Sequence, residues 1–494
     1  MSFKNINGKK FFFLSLGNNP THDIMKRRSF IKKSAAAGAA FTIVPSFVLG
    51  GNHVPPSDTL YVGSIGVGGR GGGVVSELFA TGKVKFVAFC DVDDVRAAKS
   101  YLEHPEVKRY KDFRKIYDNH LKDIDAISVA TPDHTHAVIS LPFMKAKKHA
   151  YVEKPLTHNI YEARLMAKIA KENGIVTQMG NQGASGDGIR QAQEWINAGV
   201  IGRVHRVDCW TNRPVWPQGF RSITEKDPIP ETLDWNLWLG PAAMRNFNMN
   251  YLPFKWRGFW DFGTGAMGDM GCHIMETPFK ALGLHYPYEA EASCTTVWSG
   301  DFVEADYKGT CPPSSIVRLK FDTENHGDLS LNWYDGGIMP DLPPELGDGE
   351  SPGGNGGGSI FYGSEGIMVT DTYSENPRLL PAERMQDFIP PEETIKRVEH
   401  THAGEWVAAC MNGGTTSSPF SYGGPLTEAV LMGNLAIKAY QQKVLKEGKK
   451  SGDWQAFNYP GRRTIKWDGD AMKVTNYDFA NAWVKRDYRQ GWEL

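Results

Sequence analysis

The residue of this chain that most directly suggests chemistry is Lys154. It follows the apolar stretch His149–Val152 in the sequence HAYVEKP, which has the pattern of a buried parallel strand. Burial disfavours the charged form of a lysine, so an amine at the end of such a strand is costly unless a ligand or substrate needs it. Lys154 is therefore the first candidate for a catalytic residue.

A glycine-rich turn upstream of Lys154 has the spacing of a dinucleotide-binding loop. The apolar run Leu60–Ile65 predicts a strand, and a G-x-G-x-x-G sequence follows it directly. Glycines permit a tight turn and let the backbone approach a pyrophosphate, while the next helix directs its N-terminal amides at the phosphates. The residues predicted to bind phosphate in this turn are Gly66, Gly68, Gly69, Arg70 and Gly71.

An acidic residue ends the second predicted strand, which runs from Val84 to Asp91. A dinucleotide-binding fold has a carboxylate at this position for the ribose hydroxyls. Such a carboxylate repels the extra phosphate of NADP, and no arginine follows Asp91 directly. The position therefore favours NAD over NADP as the cofactor. The alternative is an ordinary turn residue, since Asp93 and Asp94 are close by.

Length, charge and cysteine content exclude several classes of protein. At 494 residues the chain predicts two domains with appendages. The formal net charge of -1 gives no net attraction for nucleic acid, and no basic stripe with interleaved aromatic residues is found. The six cysteines contain no C-x-x-C pair, which argues against a zinc ribbon and a disulfide framework.

The N-terminal segment has the pattern of an export signal. Lys26-Arg27-Arg28-Ser29-Phe30 precedes an apolar stretch from Ala35 to Leu49, which resembles a bacterial twin-arginine signal. The stretch is shorter than the roughly 20 residues of a membrane-spanning helix, so no stable span is expected after signal removal. We expect export to the periplasm by the twin-arginine route. Met25 is an alternative start, and both cleavage and retention of the signal stay open.

The predicted fold class is α/β with two unequal domains. Strands and helices alternate from Leu60 to about Gly180, as in a doubly wound parallel sheet of the Rossmann type. Later β-rich segments, such as Ser315–Phe321, predict an α+β domain with an open, mostly antiparallel sheet. The predicted divisions are a signal and leader (1–57), the Rossmann domain (58–180), the substrate and oligomerisation domain (181–425) and a C-terminal helix and tail (426–494).

Two later segments carry more specific expectations. The glycine-rich stretch Ser351–Ser359 predicts a flexible loop, either an active-site flap or a solvated linker. The apolar stretch Leu426–Leu445 predicts a helix that packs back on the first domain.

The ordered set of motifs resembles the Gfo/Idh/MocA oxidoreductases, the family of glucose-fructose oxidoreductase and inositol dehydrogenase. The motifs are, in chain order, the glycine turn, Asp91, TPDHTH from Thr131 to His136, EKP from Glu153 to Pro155, and DMGCH from Asp269 to His273. The resemblance runs from about Leu60 to Leu445. It implies an NAD-binding first domain, a second domain whose sheet covers a carbohydrate substrate, and a homo-oligomer, either a dimer or a tetramer.

The resemblance also proposes Lys154 and His273 as the groups that touch the reacting hydroxyl. Hydride transfer from a carbinol leaves an oxygen that must lose its proton, so a base has to contact it. Asp269 and His273 are four residues apart, which on a helix puts them on one face, so that the carboxylate can orient the imidazole. We expect His273 to accept the proton and Lys154 to polarise the oxygen; the reverse assignment stays open.

Other residues of the motifs are expected along the cofactor. The resemblance places the loop with Thr131, Pro132, His134 and His136 beside the nicotinamide, together with Glu153, Lys154 and Asn181. The H-x-H pair is also compatible with two metal ligands, but the sequence supplies no further ligands nearby, and no metal is expected.

The expected substrate-binding residues follow the first domain. They are Gln182, Trp256, Arg257 and Trp260, with stacking and charge-assisted hydrogen bonds as their proposed means of binding a sugar. Capping of a turn by Gln182 and core packing of the aromatic residues are the alternatives.

Two functions are compatible with these residues. The first is an exported NAD-dependent dehydrogenase that oxidises a secondary hydroxyl of a sugar, glycoside or cyclitol. The second is a glycoside hydrolase that uses NAD without consuming it, by transient oxidation, elimination, addition of water and reduction. An exported enzyme would need a cofactor that stays bound and is regenerated within each catalytic cycle.

Overall fold

The structure is a computed structural model that describes residues 58–219, 223–305, 307 and 309–494. The expected twin-arginine segment, residues 1–57, lies outside the described residues.

Eleven helices are assigned within the described residues. They are α1 (Arg70–Phe79), α2 (Asp94–Glu103), α3 (Arg114–His120), α4 (His136–Lys145), α5 (Ile160–Asn173), α6 (Asp187–Asn197), α7 (Trp235–Leu239), α8 (Gly265–Ile274), α9 (Glu276–Ala281), α10 (His402–Asn412) and α11 (Phe420–Gln441). The strands are β1 (Leu60–Ile65), β2 (Val84–Cys90), β3 (Lys108–Tyr110), β4 (Ala126–Val129), β5 (His149–Val152), β6 (Thr177–Met179), β7 (Val204–Thr211), β8 (Glu289–Cys294), β9 (Trp298–Gly300), β10 (Val303–Glu304), β11 (Ser315–Thr323), β12 (Gly327–Tyr334), β13 (Gly357–Gly363), β14 (Gly366–Asp371), β15 (Arg378–Leu380), β16 (Val444–Leu445), β17 (Phe457–Asn458), β18 (Ile465–Asp468) and β19 (Lys473–Val474).

The first sheet is a six-stranded parallel sheet in the order β3-β2-β1-β4-β5-β6. Its central strands are short apolar runs because helices cover both faces of such a sheet. The strand order reverses between β1 and β4, and ligands of open α/β sheets bind outside the carboxyl ends of the strands at this point. The predicted Rossmann sheet is confirmed.

Local signals explain where the helix α5 begins and ends. The side chain of Asn159 accepts a hydrogen bond from the Glu162 backbone N–H at 3.1 Å, which caps the first turn. Gly174 follows the last turn in a left-handed conformation, with φ of 61°. These two signals account for the observed range of α5, Ile160–Asn173.

The second sheet has nine strands in the order β15-β14-β13-β7-β12-β11-β8-β18-β19. Its neighbours pair antiparallel except β7 and β12, which run parallel. The mostly antiparallel sheet is therefore confirmed, with one parallel pair at its centre. The helices α8 and α11 pack against this sheet, and Asp269 of α8 also contacts Lys154, which follows β5 of the first sheet.

Two predictions on the second half are wrong in part. Gly357, Gly358 and Ser359 belong to β13 instead of a loop, and a side chain at Gly357 would place its Cβ 2.1 Å from the Trp210 carbonyl oxygen. Glycine is thus required there by close packing. The C-terminal helix begins at Phe420, before the expected Leu426, and ends at Gln441.

The early start of α11 has a physical reason. The sequence Gly423-Gly424-Pro425 suggests a break, yet a Cβ on Gly423 would lie 3.2 Å from Met179. Small residues therefore allow the first turns of α11 to approach β6, and the helix packs along α5. In the part of the chain that the structure describes, no helix has both the length and the apolar composition that crossing a bilayer requires.

Candidate active site

A cavity of about 560 Å³ opens at the carboxyl ends of β1, β2, β4 and β5. Pockets for small molecules and cofactors occupy roughly 300–1,000 Å³. The cavity brings together many of the residues expected from the sequence, namely Gly66, Gly68, Arg70, Asp91, Thr131, Pro132, Glu153, Lys154, Gln182, Trp256, Arg257, Asp269 and His273.

The glycine turn has the geometry that a dinucleotide requires. Gly66 has a φ of +74°, and a Cβ on this residue would lie 2.8 Å from the Ala130 backbone. A Cβ on Gly71 would lie 1.8 Å from the carbonyl oxygen of Gly66, so only glycine lets α1 pack this closely on β1. Gly69 and Gly71 do not line the cavity, but they shape the turn that does.

Asp91 is joined directly to this turn. Its Oδ2 accepts hydrogen bonds from the backbone N–H groups of Val67 at 2.9 Å and Gly68 at 3.0 Å, and its Oδ1 accepts one from Asp93. Burial raises the pKa of Asp91 to about 6 although these hydrogen bonds oppose the shift. A carboxylate has further lone pairs available, so Asp91 can also accept ribose hydroxyls. The turn and Asp91 together fit a nicotinamide dinucleotide.

Lys154 meets Asp269 across the cavity. Its Nζ donates to Oδ1 of Asp269 at 3.1 Å and also to the main-chain carbonyl of Asp269. Arg257 donates through Nε to the same Oδ1 at 3.0 Å. Burial alone would raise the pKa of Asp269, but the two cations and their hydrogen bonds outweigh it and hold that pKa well below its ordinary value. The Asp269 carboxylate is therefore ionised and shared by two cations.

His273 lines the same cavity one helical turn beyond Asp269 in α8. Burial and the positive charge of Lys154 lower the pKa of His273 well below its usual value, so the imidazole is neutral at pH 7. Its Nδ1 is buried and has no hydrogen-bond partner among the described residues. The ring packs edge-on against Tyr373, with 5.1 Å between the ring centroids.

The expected hydrogen bond between Asp269 and His273 is not formed. The carboxylate is turned toward Lys154 and Arg257, because hydrogen bonds to charged donors are stronger than those to a neutral imidazole. The two residues do share one face of α8, as their spacing predicts, but Asp269 orients Lys154 instead of His273.

His134 and His136 lie outside the lining of the cavity. His134 packs against Trp238 with 5.3 Å between ring centroids, and burial lowers its pKa to about 3. The two ring nitrogens of His136 lie 2.9 Å from the main-chain oxygens of Pro155 and Thr131. His136 thus connects the loops after β4 and β5. No group of three potential metal ligands of the His, Cys, Asp or Glu type is found within the described ranges.

Glu153 and Gln182 form a polar link beside the glycine turn. Oε1 of Glu153 accepts from Arg70 Nε at 2.9 Å and from Gln182 Nε2 at 3.3 Å. Arg70 also pairs with Glu77 at 2.8 Å. These contacts fix the residue that precedes Lys154 to the start of α1.

Asn181 and Trp260 are not part of the cavity wall. Asn181 is fully buried, donates to Glu276 Oε1 at 2.5 Å and accepts from Ser418 at 2.7 Å. Trp260 donates to Gln441 at 3.3 Å and borders a separate cavity of about 20 Å³. Both side chains pack in the interior.

Several residues of the cavity wall were not predicted from the sequence. They are Phe113, Asp133, Arg213, Tyr373 and Trp492. The Asp133 carboxylate accepts from the Thr264 hydroxyl at 2.6 Å, immediately before α8, and so connects the loop after β4 to the helix that carries Asp269 and His273. Of the five, only Asp133 lies within a motif that the sequence singled out.

Comparisons with known proteins agree with the fold and the glycine turn. Residues 60–181 match the Gfo/Idh/MocA model described as an oxidoreductase family with an NAD-binding Rossmann fold, and residues 189–284 match the model of its C-terminal alpha/beta domain. A glycosyl hydrolase family 109 protein of Saccharopolyspora erythraea is 29% identical over 379 residues, which cover 67% of this chain and 76% of that protein.

Levoglucosan dehydrogenase appears in both the sequence and the structure comparisons. The protein of Pseudarthrobacter phenanthrenivorans is 33% identical over 173 residues, 35% of this chain, and the chain spans only 36% of that relative. A solved levoglucosan dehydrogenase in complex with NADH and levoglucosan has a TM-score of 0.52 at 19% identity, covering 77% of this chain and 97% of that structure; it shares the fold. Both domain models of the Gfo/Idh/MocA oxidoreductases therefore match this chain in order, the NAD-binding Rossmann model first and the model of the C-terminal alpha/beta domain after it, and the chain is similar to this family over these two ranges.

Proposed function

We propose that this protein transfers a hydride between a secondary hydroxyl of a sugar, glycoside or cyclitol and NAD held at the glycine turn. The observation that carries this proposal is the meeting of Lys154 and His273, from different halves of the fold, in the cavity that also contains Asp91. A proton donor or acceptor and a cation are thus available at the place where the nicotinamide half of the cofactor would extend.

The two residues have different roles in the proposed reaction. The Lys154 ammonium, fixed by Asp269, binds and polarises the reacting oxygen. The neutral His273, which lines the same cavity, accepts the hydroxyl proton through an imidazole nitrogen. Bound NAD supplies the hydride acceptor. In the reverse reaction His273 returns the proton to the oxygen.

The rest of the cavity wall suits a carbohydrate. The Arg257 guanidinium lies 4.4 Å from the Trp256 ring and 4.3 Å from the Phe254 ring, so an apolar surface lies next to fixed charge. Sugars present an apolar face and polar edges, which match aromatic rings and charged hydrogen-bond donors. The levoglucosan dehydrogenase relative supports the same substrate class.

A glycoside hydrolase that uses NAD without net consumption is the second candidate. The similarity to a glycosyl hydrolase family 109 protein over 379 residues favours it. Lys154 and His273 would act in the same way, first in oxidation of a ring carbon and later in its reduction, while elimination and addition of water occur between these steps.

One experiment separates the two functions. The purified protein is incubated with NAD and with panels of free sugars, cyclitols and nitrophenyl glycosides, while aglycone and NADH are followed together. Formation of NADH without cleavage supports the dehydrogenase, whereas release of aglycone without net NADH supports the hydrolase. Neither product with any member of the panels would contradict both.

Export and oligomerisation are further parts of the proposal. The sequence Lys26-Arg27-Arg28 and the apolar stretch after it support export by the twin-arginine route to the periplasm. Replacement of Arg27 and Arg28 by lysine should retain the protein in the cytoplasm, and unchanged fractionation would contradict this route.

The family resemblance supports a homodimer or homotetramer, which light scattering of the purified protein tests.

A further inference from the structure

We propose that Trp492, near the C-terminus, forms one wall of the site for the adenine base of the dinucleotide. The proposal rests on NAD binding at the glycine turn and extends it to a residue far outside the Rossmann sheet. Residues 60–181 and 189–284 match the family models, so this wall comes from a segment beyond both matches.

The direction of the dinucleotide follows from the fixed points of the cavity. The pyrophosphate lies at the glycine turn, and the nicotinamide half extends toward Lys154 and His273. The adenosine half must then extend past Asp91, which accepts its ribose hydroxyls. The base therefore reaches the part of the cavity beyond Asp91.

Apolar and aromatic side chains line the cavity beside the charged residues that follow β2 and β3. The wall there includes Val92, Phe113, Thr135, Ile139, Leu237 and Trp492. Bases stack well on aromatic side chains, because every base has a π-face. An adenine ring can therefore pack against apolar side chains here, next to the polar side chain of Asp91.

Trp492 is held in place by protein contacts. The Arg114 guanidinium lies 4.7 Å from the indole ring and pairs with Asp112 at 2.9 Å. The Phe113 ring lies 6.1 Å away, and Trp492 is only 8% exposed. A side chain that is already ordered loses little conformational freedom when a ligand stacks on it.

The C-terminal segment is itself fastened to helices of both domains. Arg489 donates to the Asn236 side chain at 2.7 Å, and Tyr488 donates to Glu162 at 2.8 Å. The segment therefore closes the adenine end and slows release of the cofactor.

Core packing alone would explain the burial of Trp492, and the two roles differ in their ligand dependence. If Trp492 is a wall of the adenine site, its replacement weakens the binding only of ligands that carry adenine. If Trp492 has a purely structural role, its replacement lowers the stability of the protein and weakens the binding of ligands with and without the base to the same extent.

The test compares Trp492→Ala and Trp492→Leu with wild type in calorimetric titrations with NADH, ADP-ribose and reduced nicotinamide mononucleotide. Trp454→Ala, at a position 64% exposed and outside the cavity, is the control. We expect both Trp492 variants to bind NADH and ADP-ribose about tenfold more weakly or worse, with Trp454→Ala unchanged. Affinity for the mononucleotide should stay within about twofold.

The proposal would be overturned if either folded Trp492 variant bound ADP-ribose with wild-type affinity. It would also be overturned if a variant lost as much affinity for the mononucleotide as for NADH and ADP-ribose. Trp492→Leu keeps apolar volume if the alanine variant fails to fold. Failure of the wild type to bind NADH or ADP-ribose would overturn the proposal together with its premise. Normal binding by the wild type without turnover of any carbohydrate would contradict only the proposed function.

Discussion

Nζ of Lys154 lies 3.1 Å from Oδ1 of Asp269, and Nε of Arg257 lies 3.0 Å from the same oxygen. One carboxylate thus fixes the lysine that follows β5 of the first sheet and an arginine from the segment before α8. The side chains of Lys154 and Asp269 are each only 14% exposed, so water screens their attraction weakly. The pair sets the position of the Lys154 ammonium before a substrate enters.

Replacement of Asp269 by asparagine should lower kcat while leaving NAD affinity within a few-fold of wild type. The change removes the charge that orients Lys154, and loss of one preorganised electrostatic group at an active site costs about 10²–10³ in rate. Steady-state kinetics and a separate NAD titration check the two parts. Asp261→Asn is a matched control, since Asp261 pairs with Arg245 and does not line the cavity. Equal rate losses in both variants would contradict the assignment.

The pH dependence of kcat/KM should reflect a neutral His273. Burial and Lys154 lower the pKa of this imidazole well below 6.5, so His273 stays unprotonated down to a lower pH than an ordinary histidine. Oxidation of the hydroxyl needs the unprotonated form. We therefore expect the acidic limb of the profile to have its midpoint below pH 6.5, measured over the range where the protein remains folded. A midpoint above pH 7 would exclude His273 as the base in this environment.

Acid should destabilise the fold through His134. Burial lowers the pKa of His134 from 6.5 to about 3 in the folded protein, so below pH 6.5 the unfolded chain binds a proton that the folded protein does not. Stability is then lost as the pH falls. This site alone should reduce the free energy of unfolding by about 2 kcal/mol between pH 7 and pH 5.

The variant His134→Gln isolates that contribution. Glutamine can still donate to the Trp238 carbonyl that lies 3.1 Å from Nε2 of His134, but it does not titrate. Urea unfolding at pH 7 and pH 5 should show a smaller loss of stability for the variant than for the wild type. Identical losses would mean that His134 accepts a proton in the folded state.

Two glycines of α1 should respond in opposite ways to alanine. At Gly71 the new Cβ would collide with the Gly66 carbonyl oxygen, 1.8 Å away, so the turn must open and NAD binding should fall at least tenfold, with a loss of stability of about 2 kcal/mol or more. At Gly73 the nearest atom is the flexible end of Arg70, 3.1 Å away. Alanine there should raise helix stability by up to about 1 kcal/mol. Thermal melts and NAD titrations compare the two, and retained NAD binding in Gly71→Ala would refute the tight turn.

The elements that local patterns determine were predictable. The glycine turn follows a buried strand, Asp91 ends the next one, and Asn159 and Gly174 mark the ends of α5. Each of these signals lies within a few residues of the element that it defines, so the parallel sheet and its ligand-binding edge follow from the sequence.

Long-range partners were not predictable in the same way. Lys154 and Asp269 are 115 residues apart, and the spacing of Asp269 and His273 suggested a different pair. Only the three-dimensional arrangement shows that Asp269 faces the two cations Lys154 and Arg257. The position of Trp492 in the cavity wall likewise depends on the path of the C-terminal segment across the fold. No pattern in the local sequence predicts that path.

The most direct test of the proposed chemistry is NADH formation by wild type and Lys154→Met at saturating NAD, across a panel of sugars, glycosides and cyclitols. Lys148→Met is the matched control, because Lys148 donates to the Ile124 carbonyl and does not line the cavity. Wild type and the control should reduce NAD with at least one member of the panel. Lys154→Met should lose about 10² or more in rate at nearly unchanged NAD affinity. A Lys154→Met enzyme that reduces NAD at the wild-type rate would contradict the proposed chemistry.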